Sequence, residues 1–164
     1  MKQFLLFFTI TFSFSVMHAQ KFGYVNTQEL ISGLASVKLA ENELNSLKNE
    51  LMIKGEEMVK KFEVEYTAYM NEANAGSLSK VEMQKKEEAL IAKREEIQKY
   101  EAQMQEKMVA KRDELYQPIL DKIKMVIEQI GKEGGYTMIF DTGAGALLHA
   151  DPAENMLETI KARL

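Results

Sequence analysis

The sequence predicts an α+β protein in which a long antiparallel coiled-coil hairpin of α-helix projects from a small β body completed by oligomerisation. Three observations carry this expectation. The strand-like segments KFGYV and GYTMIFD stand roughly 110 positions apart, near the two ends of the chain. Between them, apolar residues recur at steps of eleven within charged, helix-forming sequence. That run breaks once, near residues 74–79, and restarts with a helix-capping signal.

The opening segment, MKQFLLFFTITFSFSVMHAQ, has a positive start at Lys2, an apolar run from Phe4 to Val16 and a small residue, Ala19, before Gln20 and Lys21. This is the pattern of a cleavable secretory signal peptide over 1–19, and the run is short of the roughly 20 residues that span a bilayer as a helix. The exported chain is expected to start near Gln20. Phe22 and Tyr24 then alternate with Gly23 and Val25, which suits a short strand.

The first long helix is expected from about Ser36 to Ala73, with Leu44, Leu47, Leu51, Met58, Phe62, Tyr66 and Tyr69 recurring three, four or seven apart. Leu47, Met58 and Tyr69 step by eleven, as do Leu51 and Phe62, which predicts a nearly straight seam. Asn74-Ala75-Gly76-Ser77 ends the pattern. Ser79 and Glu82 then form a capping box, and Leu78 and Met83 occupy the positions of a hydrophobic staple. The second helix continues through Leu90, Ile97, Met104, Met108, Leu115, Ile119, Val126 and Ile130 to Gly134-Gly135. Glu50/Lys54, Glu56/Lys60, Glu57/Lys61, Glu82/Lys86, Glu95/Lys99 and Glu128/Lys132 place Glu one turn before Lys, the favourable order for intrahelical pairs. Pro118 removes one backbone donor inside this helix, so a kink is expected there. Helices of about 55 and 80 Å with one apolar stripe need a partner, and the break supplies one by folding the run into a hairpin.

The end of the chain reads as a strand over 135–141, a turn over 142–145 and a returning strand over 146–149. DPAE starts a last helix, with Asp151 as cap, Pro152 first and Glu154 reaching back; Met156, Leu157, Ile160 and Leu164 form its apolar face. The first strand can pair only with this terminal unit. The expected division is a β body from 20–35 and 134–164, and a hairpin over 36–133 with its tip near 74–79. Candidates for the body core and oligomer interface are Phe22, Tyr24, Val25, Tyr136, Met138, Ile139, Phe140, Leu147 and Leu148. So thin a core is below what usually stands alone, and self-association is the expected remedy.

Chemistry is sparse. Without cysteine there is no disulfide framework, thiol nucleophile or cysteine-ligated metal. The formal charge of −4 does not favour nucleic acid. Asp141-Thr142-Gly143-Ala144 resembles the way aspartic proteases present a catalytic carboxylate, but they need two such carboxylates in a β-rich body. Only some twenty residues follow this motif, and no second Asp-Thr-Gly occurs. Asp141 therefore reads as the end of a strand entering a glycine turn, with both glycines expected at positive φ. His149 alone offers neither a metal set nor a triad, and no phosphate loop follows a strand. No catalytic, metal or cofactor-binding residue is expected, and the protein is not expected to be an enzyme.

Together, KFGYVNTQELI, the segment YQPILDKIKMVIEQIGKEGGYTMIFDTGAGAL and the terminal DPAENMLETIKARL resemble the Skp/OmpH family of periplasmic chaperones. The middle helices match by length and pattern only. The resemblance implies a homotrimer, with a small barrel-like body made from the strands of three chains and three hairpins enclosing a cavity. It implies an ATP-independent holdase that binds unfolded outer-membrane β-barrel proteins in the periplasm. The alternative is a non-enzymatic envelope adaptor or spacer. A holdase needs many adaptable contacts, and unbranched thioethers repack readily. Met58, Met104 and Met108 are assigned to the seam, while Met52, Tyr66, Tyr69, Met70 and Met83 are the client-facing candidates. Family members are basic, whereas this chain is acidic, and between Glu63 and Ser79 it has Glu63, Glu65 and Glu72 without a cation. No lipopolysaccharide-binding residues are carried over, and membrane or lipopolysaccharide contact through an acidic tip is disfavoured.

Overall fold

The computed structural model describes residues 20–145 and 147–164. The signal segment expected over 1–19 lies outside the described residues. Elements follow in the order β1 (Lys21–Val25), α1 (Thr27–Gly33), α2 (Ala35–Asn74), α3 (Lys80–Glu133), β2 (Tyr136–Asp141) and α4 (Leu157–Lys161), with a 3-10 turn at Pro152–Glu154. The 40 residues of α2 and 54 of α3 make helices about 60 and 81 Å long, packed together as the hairpin.

The tip is built as its sequence requires. Gly76 turns the chain at φ 67°, a conformation costly for side chains with a Cβ. Ser79 Oγ accepts from Glu82 N at 3.3 Å while the Glu82 carboxylate accepts from Ser79 N at 2.8 Å, so the capping box is closed in both directions. The seam follows the steps of eleven: Tyr69, Leu51, Val126 and Ile130 are buried, and Leu47, Met58, Phe62, Met104, Met108, Leu115 and Ile119 are half-buried. The helix runs on through Pro118 to its end at Gly134, after which Gly135 takes φ 66°.

β1 and β2 pair in parallel, with Phe22 opposite Met138 and Tyr24 opposite Phe140. Parallel neighbours need a long crossover, and here the whole hairpin is that crossover. A register shift between Lys21 and Phe22 turns Tyr136 toward the inner face beside Ile139. The inner face meets Leu30 of α1, Ile123, Val126 and Ile130 of α3, and Met156, Leu157 and Ile160 near the C-terminal end. A methyl at Gly23 would lie only 3.0 Å from Tyr136 Cε1 and overlap the Met156 thioether, so the close approach of β1 to Met156 requires glycine.

Four expectations are corrected. No returning strand forms over 147–149; the chain instead crosses to the far edge of β1, where Met156 N donates to Tyr24 O at 2.9 Å and Asn155 bridges Tyr24. The DPAE segment is a separate 3-10 turn, and that bridge interrupts it before α4; Asp151 accepts from Ala153 N as a cap, and Asp151 O, not the Glu154 side chain, closes the turn by accepting from Glu154 N. Only Gly145 of the turn takes positive φ, while a methyl at Gly143 would press on Asp141 Oδ1 and Asn26 Oδ1 at 3.1 and 3.2 Å. Of the body-core candidates, Val25 alone is fully buried; Tyr136 and Ile139 pack against the core, while Phe22, Tyr24, Met138 and Phe140 share the outward face and Leu148 is 98% exposed. Strand alternation causes the split, because Gly23 and Val25 point to the helices and their neighbours point away.

Candidate functional site

Asp141 acts as a brace. Its Oδ1 accepts from Thr27 N at 3.1 Å and from Gly143 N at 2.9 Å, and its Oδ2 accepts from Thr27 Oγ1 at 2.5 Å. The carboxylate thus closes the glycine turn and holds the first turn of α1, where an anion is favoured. Partial burial pushes its pKa up, but the Thr27 hydroxyl and the two backbone N–H groups outweigh that and leave it below the usual carboxylate value. Both oxygens are engaged in structure. Among the described residues, no three His, Asp or Glu side chains gather to hold a metal ion.

The surface with binding character lies on the hairpin. Tyr100, which sequence reasoning did not single out, crosses the seam over Gly55 and donates from its hydroxyl to Leu51 O at 2.9 Å. It is buried with Leu51, and its ring lies against Gly55. The available signal was its spacing, three past Ile97 and four before Met104. Beside this crossing opens a groove of about 530 Å³ whose apolar lining includes Met52, Met58, Val59, Ile97 and Met104. A second groove of about 250 Å³ lies toward the tip, where Phe62 and Tyr66 stack at 6.0 Å and Leu90 and Ile91 close the other side.

The two grooves occupy one flank of the hairpin. At 100° per residue, Met52, Val59, Tyr66 and Met70 fall within about 40° of one another, to one side of the seam. All four are exposed. Glu43, Glu65 and Glu72 fall on the other side, where they pair across the seam with Lys111, Lys93 and Lys86. One flank is therefore laced by ion pairs and the other is apolar and open.

This arrangement sorts the five exposed-surface candidates. Met52, Tyr66 and Met70 lie on the open flank, and Met83 is half-buried at the start of α3. Tyr69 is corrected to a seam residue. It is 9% exposed, and its hydroxyl donates to Glu87 Oε1 at 2.5 Å, an interaction that raises its pKa. None of the six intrahelical Glu/Lys pairs closes among the described residues. Lys86, for example, reaches across to Glu72 because Glu82 is occupied by the cap of α3. The tip is also less acidic than its α2 half. Once α3 folds back, Glu63 through Arg94 holds six carboxylates (63, 65, 72, 82, 87, 88) against five cations (80, 85, 86, 93, 94). No helix of the described residues is long and apolar enough to cross a membrane.

The sequence profile described as "Outer membrane protein (OmpH-like)" matches residues 21–164. The fold is similar to the crystal structure of a Caulobacter crescentus CB15 protein assigned as an outer membrane chaperone (OmpH-like), with a TM-score of 0.77 at 12% identity, covering 88% of this chain and 83% of that one. A search of curated proteins finds no match.

Proposed function

The chain belongs to the OmpH-like outer membrane protein family, and from that premise we propose that it is an ATP-independent periplasmic holdase that binds unfolded outer-membrane β-barrel proteins and prevents their aggregation. The observation that carries the reading is the two-sided hairpin. An open apolar flank offers shallow, methionine- and tyrosine-rich contacts spread over many turns, which suits a partner without fixed shape. The ion-paired flank supports the arm without competing for that partner.

Three copies associate through the outward face of the sheet, where Phe22 and Phe140 meet at 6.2 Å beside Met138 and stay exposed, with Leu147, His149 and Ala150 flanking them only in part. The hairpins then surround a cavity, with their open flanks available to the bound chain. The body (20–35 and 134–164) is the association unit and the hairpin (36–133) the client-binding unit.

The test is dilution of a urea-unfolded β-barrel protein into buffer with the mature protein. Light scattering by the client is expected to be suppressed near one trimer per client, and Met52→Ser with Met70→Ser to weaken that suppression. Undiminished aggregation across that range removes the proposal.

A further inference from the structure

The groove beside Tyr100 carries a charge pattern as well as an apolar lining. Glu56, Glu63 and Glu101 stand on its rim with Lys60, and Lys54 Nζ lies 5.4 Å from the centre of the Tyr100 ring, which leaves a surplus of one carboxylate. All three are exposed, and none takes part in an ion pair or side-chain hydrogen bond among the described residues. On the opposite flank Glu43, Glu65 and Glu72 are each matched by a lysine, and the groove nearer the tip balances Glu87 against Arg94. Across the seam, charge is paired on the opposite flank and left unpaired around this apolar groove.

We infer that this groove selects apolar client segments flanked by lysine or arginine. The inference rests on the chaperone reading and narrows its substrate class. A bound segment would lay leucine or aromatic side chains on Met52, Met58, Val59, Ile97 and Met104, and its flanking cations would meet Glu56, Glu63 and Glu101. Lysine and arginine stems also cover apolar rim surface while their heads stay in water. The rim charges are solvated, so their share of binding is modest and falls with salt, whereas the apolar share does not. Segments flanked by aspartate or glutamate meet like charge in the same place.

The experiment uses fluorescence anisotropy with the full mature chain and two labelled peptides that share one Leu/Phe/Tyr core and differ only in lysine or glutamate flanks. The lysine-flanked peptide is expected to bind about three- to tenfold tighter at low salt, with the two converging near roughly 0.5 M salt. Glu56→Gln/Glu63→Gln/Glu101→Gln is expected to abolish the preference while keeping binding of the common core. Glu43→Gln/Glu65→Gln/Glu72→Gln, which changes net charge equally on the other flank, is expected to keep most of it. Equal binding of the peptides, preference for the glutamate flanks, or equal loss in both triple variants overturns the inference and leaves the holdase standing. Binding of neither peptide overturns it too, and if β-barrel aggregation is then also unsuppressed, the chaperone reading falls with it.

Discussion

Asp141 is a carboxylate whose neighbours in sequence imitate a catalytic motif while its neighbours in space make it a brace. Its pKa lies below the ordinary value, so by linkage it stabilises the fold fully above the unfolded-state carboxylate pKa. That contribution is lost as pH falls through the lower, folded-state pKa. Asp141→Asn is expected to lower unfolding stability by about 1–2 kcal/mol near neutral pH, through weakened capping of α1 and of the turn. The deficit relative to the parent protein should shrink on acidification below the carboxylate range, which urea denaturation at neutral and acid pH measures directly. A deficit that stays constant with pH would assign the loss to packing instead. The motif alone shows that Asp141 ends a strand before a turn. It does not show that the partner is Thr27, 114 positions away, because no local signal encodes that contact.

The long helices and both strands were legible, whereas α1 and the path after Gly145 were not, for a physical reason. α2 and α3 repeat their apolar spacing over many turns, so seam, tip and cap could be read directly, whereas α1 has seven residues and one buried side chain, Leu30, too few to show a period. The expected strand after Gly145 failed because its apolar residues do not reveal which sheet edge the backbone will reach. Of the intrahelical ion pairs, one failed because Lys86 reaches the facing helix instead, and the other five lysines enter no ion pair among the described residues, as solvated surface charges gain little from pairing. Of the candidate surface, Met52, Tyr66 and Met70 were legible as apolar residues beside the seam, while Tyr69 and Tyr100 required knowing which tyrosine crosses it. The arm's dependence on that crossing is measurable. Tyr100→Phe removes only the hydroxyl donated to Leu51 O and is expected to cost about 0.5–1.5 kcal/mol. Tyr100→Ala opens a void beside Gly55 and is expected to cost about 3–5 kcal/mol, read as loss of helical circular dichroism at lower temperature.

At the scale of the whole molecule, one chain buries an apolar core on the helical side of its sheet and leaves Phe22, Met138 and Phe140 exposed on the other. Phe140→Asp is expected to yield a monomer with unchanged helical content, since Phe140 does not belong to the core of the single chain. Light scattering should then report one chain's mass, against three for the trimer proposed for the parent protein. The parallel pairing of β1 with β2 also sets an order of events during biosynthesis. Lys21–Val25 emerges from the ribosome early, yet its partner Tyr136–Asp141 follows more than a hundred residues later. The tip, by contrast, joins α2 to α3 through a short link whose closure entropy is small. The arm is therefore expected to zip from tip toward root while the nascent amino-terminal strand waits, which would leave the proposed subunit assembly as the last step of maturation.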